Sequence, residues 1–203
     1  MSSKKRLDLI EGSLKDSVEA IKGIDSGQLQ RIADMIVGCY KNGGKVMLCG
    51  NGGSASQAQH LAAELVCKFR RDRAPLSAMA LTTDTSILTA QANDVSFETV
   101  FERQVEAHGR KGDILVVLST SGNSPNVVRA LKAAKRRSIR TIAFTGKNRR
   151  CKVANTADEI LYVGCDDAPR IQEAHLAAGH IICDLVEAEF ASNRPWQSAQ
   201  RRH

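Results

Sequence analysis

Apolar residues return every three or four positions at the start of the chain, at Leu7, Ile10, Leu14, Val18 and Ile21, and again at Leu29, Ile32, Ile36 and, more loosely, Tyr40. That spacing predicts two amphipathic helices, the second stopped by Gly43-Gly44. From residue 44 the pattern changes to short apolar runs alternating with helical stretches. The runs are Lys45–Cys49, Ala78–Leu81, Ile114–Leu118, Thr141–Phe144 and Glu159–Val163, each followed by a Gly, Ser, Thr or Asp cluster and then a helix-like segment. Five strands apolar on both faces and separated by helices predict a parallel sheet covered on both sides, an α/β fold. A last helix is expected from Pro169 or Arg170 to Phe190. Its Ile171, Leu176, Ile181, Leu185 and Val186 occupy more than one face, which suits a central helix or a subunit contact. The opening helices have no sheet of their own to cover, so a homo-oligomer is expected. No internal repeat or linker divides the chain. One domain is expected, with N-terminal oligomerisation helices over 1–43, an α/β core over 44–191 and a frayed polar tail over 192–203.

Composition narrows the function. The 203 residues are 42% hydrophobic and 25% charged, a globular balance that disfavours disorder, and the apolar runs are far too short to span a bilayer. The basic start, Met1 to Arg6, has no apolar stretch behind it and does not read as a secretory signal. Six scattered cysteines without a Cys-x-x-Cys pair read as reduced thiols of a cytoplasmic protein. A net charge of +7 favours anionic partners without choosing among them. Aromatics are only 4% and do not interleave with the basic clusters, so nucleic acid is not an expected partner; neither is a membrane.

Three loops and one helix carry candidate chemistry. Gly50-Asn51-Gly52-Gly53-Ser54-Ala55 follows the first strand and opens a helix. It matches a dinucleotide fingerprint, but no acidic residue closes the second strand at the required distance; Asp72 lies in a basic loop and Asp84 comes too late. A Walker loop fails as well, because Asn148 follows Gly146-Lys147 and no glycine stands five residues earlier. Three glycines in four positions exceed what a turn needs, which favours close backbone approach to a substrate. After the third strand, Ser119-Thr120-Ser121-Gly122-Asn123-Ser124-Pro125-Asn126 offers four hydroxyls at a helix N-terminus begun by proline. Backbone N–H groups and the helix dipole make that loop an anion site without a lysine. A plain serine cap would explain Ser124 alone. His60 and Glu64, at i and i+4, share one helix face roughly 6 Å apart, as solvated pairs also do. Gln172, Glu173, His175 and His180 crowd polar groups onto the otherwise apolar last helix, which is costly unless they have partners; a buried histidine is commonly satisfied by a carbonyl. Asn93-Asp94 forms a further polar cluster, which a helix C-cap would also explain.

Gly50-Asn51-Gly52-Gly53-Ser54, His60-x-x-x-Glu64, Thr82-Thr83-Asp84, Asn93-Asp94, the serine loop and Arg170-Ile171-Gln172-Glu173-x-His175-x-x-x-x-His180 occur in this order. Together they resemble the phosphoheptose isomerase family of the sugar isomerase domain superfamily, from about residue 30 to 190. The serine loop is general to the superfamily, whereas the His60/Glu64 and Gln172/His180 pairs discriminate. The resemblance implies a flavodoxin-like, five-stranded parallel sheet flanked by helices, a homotetramer with active sites where subunits meet, and a sugar phosphate substrate. It implies that Asn51, Gly52, Gly53, Ser54, Glu64, Asn93, Asp94 and Gln172 bind the sugar, and that Ser119, Thr120, Ser121 and Ser124 hold its phosphate. It further implies one zinc ion per subunit on His60, Glu64, Gln172 and His180, with Glu64 and His180 as the acid–base pair. The implied reaction isomerises D-sedoheptulose 7-phosphate to D-glycero-D-manno-heptose 7-phosphate for heptose biosynthesis, toward lipopolysaccharide core or another heptose glycan. Departures fall at Arg149-Arg150-Cys151 and in the Arg-rich tail.

Eight residues of straight helix rise about 12 Å, too far for Gln172 and His180 of one helix to share an ion at about 2 Å. Either the helix starts after Gln172 or the two come from different subunits, and the second is expected. Two other readings compete: a non-catalytic binding protein, such as the tetrameric partner of the bacterial replication initiator, and an isomerase of another sugar phosphate. The replication partners typically lack a carboxylate at the position matching Glu64, so its presence favours catalysis.

Overall fold

A computed structural model describes residues 1–191; the polar tail expected over 192–203 lies outside the described residues. Two helices, α1 (Ser3–Lys22) and α2 (Ser26–Lys41), lead into β1 (Val46–Gly50), α3 (Gly53–Val66), β2 (Ala78–Ala80), α4 (Thr85–Asp94) and α5 (Val100–His108). Then come β3 (Ile114–Leu118), α6 (Pro125–Arg136), β4 (Arg140–Thr145), β5 (Glu159–Tyr162) and α7 (Ala168–Phe190). All five strands are parallel, in the order β2-β1-β3-β4-β5. The expected α/β, flavodoxin-like architecture is present.

Strand alternation divides the core in two. Leu48, Val116, Leu118, Ile142 and Phe144 face α2, α3 and α7, where Ile32, Ile36, Leu61 and Ile182 meet them. Met47, Cys49, Leu115, Val117 and Ala143 face the other way, onto Phe101 of α5 and Val127 and Leu131 of α6. Strands covered on both faces have no polar positions to spare, which is why β1 and β3 are buried throughout.

One expectation needs correction. The connection from β4 to β5 contains no helix; residues 146–158 run through turns. Asn148-Arg149-Arg150 and Asn155-Thr156 interrupt any apolar stripe, and the segment is anchored instead by two buried side chains, Cys151 and Val153. All six cysteines are free thiols, four of them buried. No helix among the described residues is long and apolar enough to cross a membrane.

The strand order reverses direction between β1 and β3, and their register pairs Gly50 with Leu118. The glycine and serine loops therefore leave the sheet side by side at the carboxyl edge, where open α/β sheets bind ligands.

His175 of α7 shows how the fold treats a polar group it does not expose. It is fully buried, its Nε2 lies 3.3 Å from the Thr145 carbonyl oxygen, and burial lowers its pKa from 6.5 to about 4. The unfolded chain protonates it first, so its contribution is complete above pH 6.5 and is lost as pH falls through about 4. A shift of that size is worth on the order of 3 kcal/mol. Urea unfolding at pH 7 and at pH 4.5 should show wild type losing stability steeply, with the loss visibly shallower in His175→Leu.

Candidate active site

The site grows out of a close helix crossing. Gly179 lies in the interior of α7, and a Cβ there would stand 2.5 Å from Leu61 Cδ2 of α3. Glycine inside a helix costs about 1 kcal/mol against alanine, and here it lets Leu61 seat directly on the helix backbone. The flanking residues, His60 just before Leu61 and His180 just after Gly179, are thereby brought face to face. Their Nε2 atoms are 2.8 Å apart, and Glu64, one turn on, places Oε1 3.3 Å from His60 Nε2. Donor atoms of His60, Glu64 and His180 all lie within 4.8 Å of one another. Two imidazoles and a carboxylate converging in this way could hold a divalent ion.

His60 is exposed, whereas Glu64 and His180 are half-buried. Burial, then the neighbouring His60 and Arg70, lower the His180 pKa against the opposing pull of Glu64. The Phe69 ring stacks on His180 at 5.4 Å between centroids, 23° from parallel.

Gln172 stands on the same continuous helix, eight residues before His180. The helix does not begin after it, so the first of the two geometric alternatives is excluded. Its side chain packs on the glycine loop, where a Cβ on Gly53 would meet Gln172 Oε1 at 2.7 Å, and its carbonyl accepts from Gln57 Nε2 at 2.5 Å.

The loop glycines thus have reasons internal to the fold. Gly53 admits Gln172, a Cβ on Gly50 would meet the Leu118 carbonyl at 2.8 Å, and Gly52 holds φ at +54°. Close approach of a substrate is not needed to explain them. Ser54 is buried beneath the loop, while Gly52 and Gly53 are exposed. Asn51 reaches across to α6, exchanging two amide hydrogen bonds of 2.9 Å with Asn126. That pair straps the glycine loop to the serine loop. Asn126 is buried and was visible in the sequence only as part of the serine run.

Ser124 occupies the cap position of α6 but makes no capping bond; its hydroxyl faces that of Ser119 at 3.4 Å. A serine spent on the cap would have closed the helix N-terminus, and this one leaves it available to an anion. Thr120 and Ser121 line a cleft of about 330 Å³ together with Lys147 and Asn148. Asn93 and Asp94 end α4, exposed and hydrogen bonded to each other at 2.8 Å; among the described residues they show no hydrogen bond to the glycine loop or the histidines.

Known proteins match this chain in sequence and fold. The SIS domain model matches residues 11–146. The phosphoheptose isomerase of Clostridium acetobutylicum is 50% identical over 188 residues, covering 90% of this chain and 95% of its own length. Among solved structures, the phosphoheptose isomerase of Neisseria gonorrhoeae is 41% identical with a TM-score of 0.83, covering 92% of this chain and 100% of that one. The enzyme from Francisella tularensis is 35% identical with a TM-score of 0.85, covering 93% and 100%. On its sheet order, its two loops and this degree of identity, the chain belongs to the phosphoheptose isomerase family of SIS-domain proteins.

Proposed function

We propose that this chain is an aldose–ketose isomerase that converts D-sedoheptulose 7-phosphate to D-glycero-D-manno-heptose 7-phosphate. The observation that carries this reading is the meeting of Glu64, His60 and His180 in a chain about half identical to phosphoheptose isomerases. Ser119, Thr120, Ser121 and Ser124 take the phosphate at the α6 N-terminus. Asn51, Gly52, Gly53, Ser54, Asn93, Asp94 and Gln172 bind the sugar.

Isomerisation moves one hydrogen from C1 to C2 and one from O1 to O2, so it needs a base and an acid. Glu64 takes the C1 proton of the ketose, and the electron pair forms the C1=C2 bond of an enediol. His180, neutral at rest because its pKa is lowered, takes the O1 proton and supplies one to O2. Glu64 returns its proton to C2, and C1 becomes the aldehyde carbon.

Zinc suits the donor set of His60, Glu64 and His180, with Gln172 as the fourth donor. The fit rests on the convergence of two imidazole nitrogens, 2.8 Å apart, and a carboxylate within 4.8 Å of both, a donor set that would hold such an ion. When bound, the ion supplies Lewis acidity at the substrate oxygens.

The working form we propose is a cytoplasmic homotetramer with active sites between subunits and residues 1–43 as the assembling helices. Two features support assembly. Leu7, Ile10, Leu14 and Val18 of α1 are all about half exposed or more, and Ile181 and Leu185 leave an apolar strip open on α7.

Purified protein incubated with sedoheptulose 7-phosphate should accumulate the aldoheptose phosphate, read by borohydride trapping and mass spectrometry with C1 deuteration. No conversion, with the phosphate ester bound but unchanged, would favour a binding protein instead. Conversion of a different ketose phosphate in preference would reassign the substrate.

A further inference from the structure

A loop over residues 67–77 joins α3 to β2, and it touches both members of the proposed acid–base pair. Its Phe69 ring stacks on His180. The Arg73 guanidinium donates from Nη2 to the Glu64 carbonyl oxygen at 2.7 Å and from Nη1 to the Ala74 carbonyl at 3.0 Å. What holds this loop is a residue with no place in the chemistry above. Glu187 is seven residues beyond His180 on α7, two turns along the same face and about 10 Å away. Its carboxylate accepts three consecutive backbone N–H groups, from Phe69 at 2.8 Å and from Arg70 and Arg71 at 2.7 Å. Arg73 Nε stands 3.4 Å from Glu187 Oε1, with both side chains 1% exposed.

We propose that Glu187 is a positioning residue of the active site, its carboxylate clamping the loop over residues 69–73 so that Phe69 and Arg73 hold His180 and Glu64 in working geometry. The inference rests on the reading of Glu64 and His180 as the acid–base pair. A fully buried ion pair is a poor way to gain stability, because desolvation offsets the attraction and apolar pairs of the same size do as well. A carboxylate that binds three successive N–H groups fixes backbone conformation, which an apolar pair cannot do. Burial alone would raise the Glu187 pKa, but the N–H groups of Arg71, Phe69 and Arg70, together with the Arg73 charge, hold it below the ordinary carboxylate value. The clamp is therefore charged at working pH. The loop's outer side chains, Arg70 and Arg71, pair with Asp184 on the same helix, but those contacts are solvent-exposed and weak anchors by comparison.

The test compares wild type, Glu187→Gln, Glu187→Asp and Phe69→Leu in the full chain, with two readouts. Steady-state kinetics on sedoheptulose 7-phosphate should show kcat lowered roughly 10–100-fold in Glu187→Gln, the size expected of a misplaced catalytic group, with KM little changed. In metal-free protein, the His180 Hε1 proton resonance, identified by its loss in His180→Asn, should move in Glu187→Gln toward its position in Phe69→Leu. If Glu187→Gln does not fold, Glu187→Asp carries the same comparison, since it keeps the charge but is one methylene short of the three N–H groups. A folded variant with wild-type kcat overturns the proposal, and so does a kcat loss with the His180 resonance unmoved. The resonance needs no substrate, so a shifted His180 signal in a protein that never isomerises the heptose phosphate supports the clamp and overturns the acid–base reading instead.

Discussion

Glu64→Gln is expected to abolish isomerisation, lowering kcat by roughly 10²–10⁴-fold, in a protein that folds normally and still binds sugar phosphate. The amide has the shape of the carboxylate but cannot accept the C1 proton. Little stability is at stake, because the one ion-pair contact of this carboxylate among the described residues is His60 at 3.3 Å, and surface pairs of that kind contribute at most about 1 kcal/mol. The serine loop lies between β3 and α6 and is untouched, so KM should stay near wild type. The substitution also replaces a charged donor at the His60–His180 cluster, so the zinc content of wild type and variant should be measured beside the kinetics. Loss of turnover at equal zinc content assigns the proton transfer to Glu64. Near-normal turnover would refute that role outright.

Much of this site was legible before any coordinates, and the reasons differ by element. Ile114–Leu118 coincides with β3 because a strand buried on both faces must be an unbroken apolar run. The serine loop was legible because it concentrates hydroxyls just before a Pro that begins a helix. His60 and Glu64 were legible as a pair because they are four residues apart on one helix. Their meeting with His180 is a long-range fact, set by the Gly179–Leu61 crossing, and the only local trace of that crossing is a glycine placed where a helix does not want one. Glu187 and Arg73 left no trace at all. A charged residue near the end of a helix and another in a basic loop look like solvated surface, and only packing shows that both are buried against each other. The expected β4–β5 helix is absent for a related reason: the strand–loop–helix alternation of the rest of the chain set the expectation, while the local sequence, Asn148 to Lys152, was too polar to supply a helix face.

Pairing Ile10→Asp with Leu14→Asp in α1 should break the proposed tetramer and cost most of the activity together. The argument begins with how α1 sits on its own chain. Arg170 of α7 donates to the Ser13 carbonyl at 2.7 Å and the Ser17 hydroxyl at 2.5 Å, and Ala20 is the one buried residue of the helix. The serine and alanine face is thus turned inward, and the apolar stripe of Leu7, Ile10, Leu14 and Val18 is turned out, from 47% to 63% exposed. Covering side chains of that size contributes up to roughly 1.5–3 kcal/mol each, enough to drive association of identical helices. Activity follows because Gln172 is held on Gly53 of its own chain and lies about 12 Å along α7 from His180. It reaches a His60–Glu64–His180 cluster only if that cluster belongs to another copy. Two aspartates in the stripe place charges where a partner's apolar face would sit, without touching the inward contacts to Arg170. Analytical ultracentrifugation should then show monomers or dimers with unchanged far-UV circular dichroism, and kcat/KM should fall by roughly 100-fold, the scale of a lost positioning contact. Monomers with full activity would show that one chain is sufficient, and would remove Gln172 from any shared site.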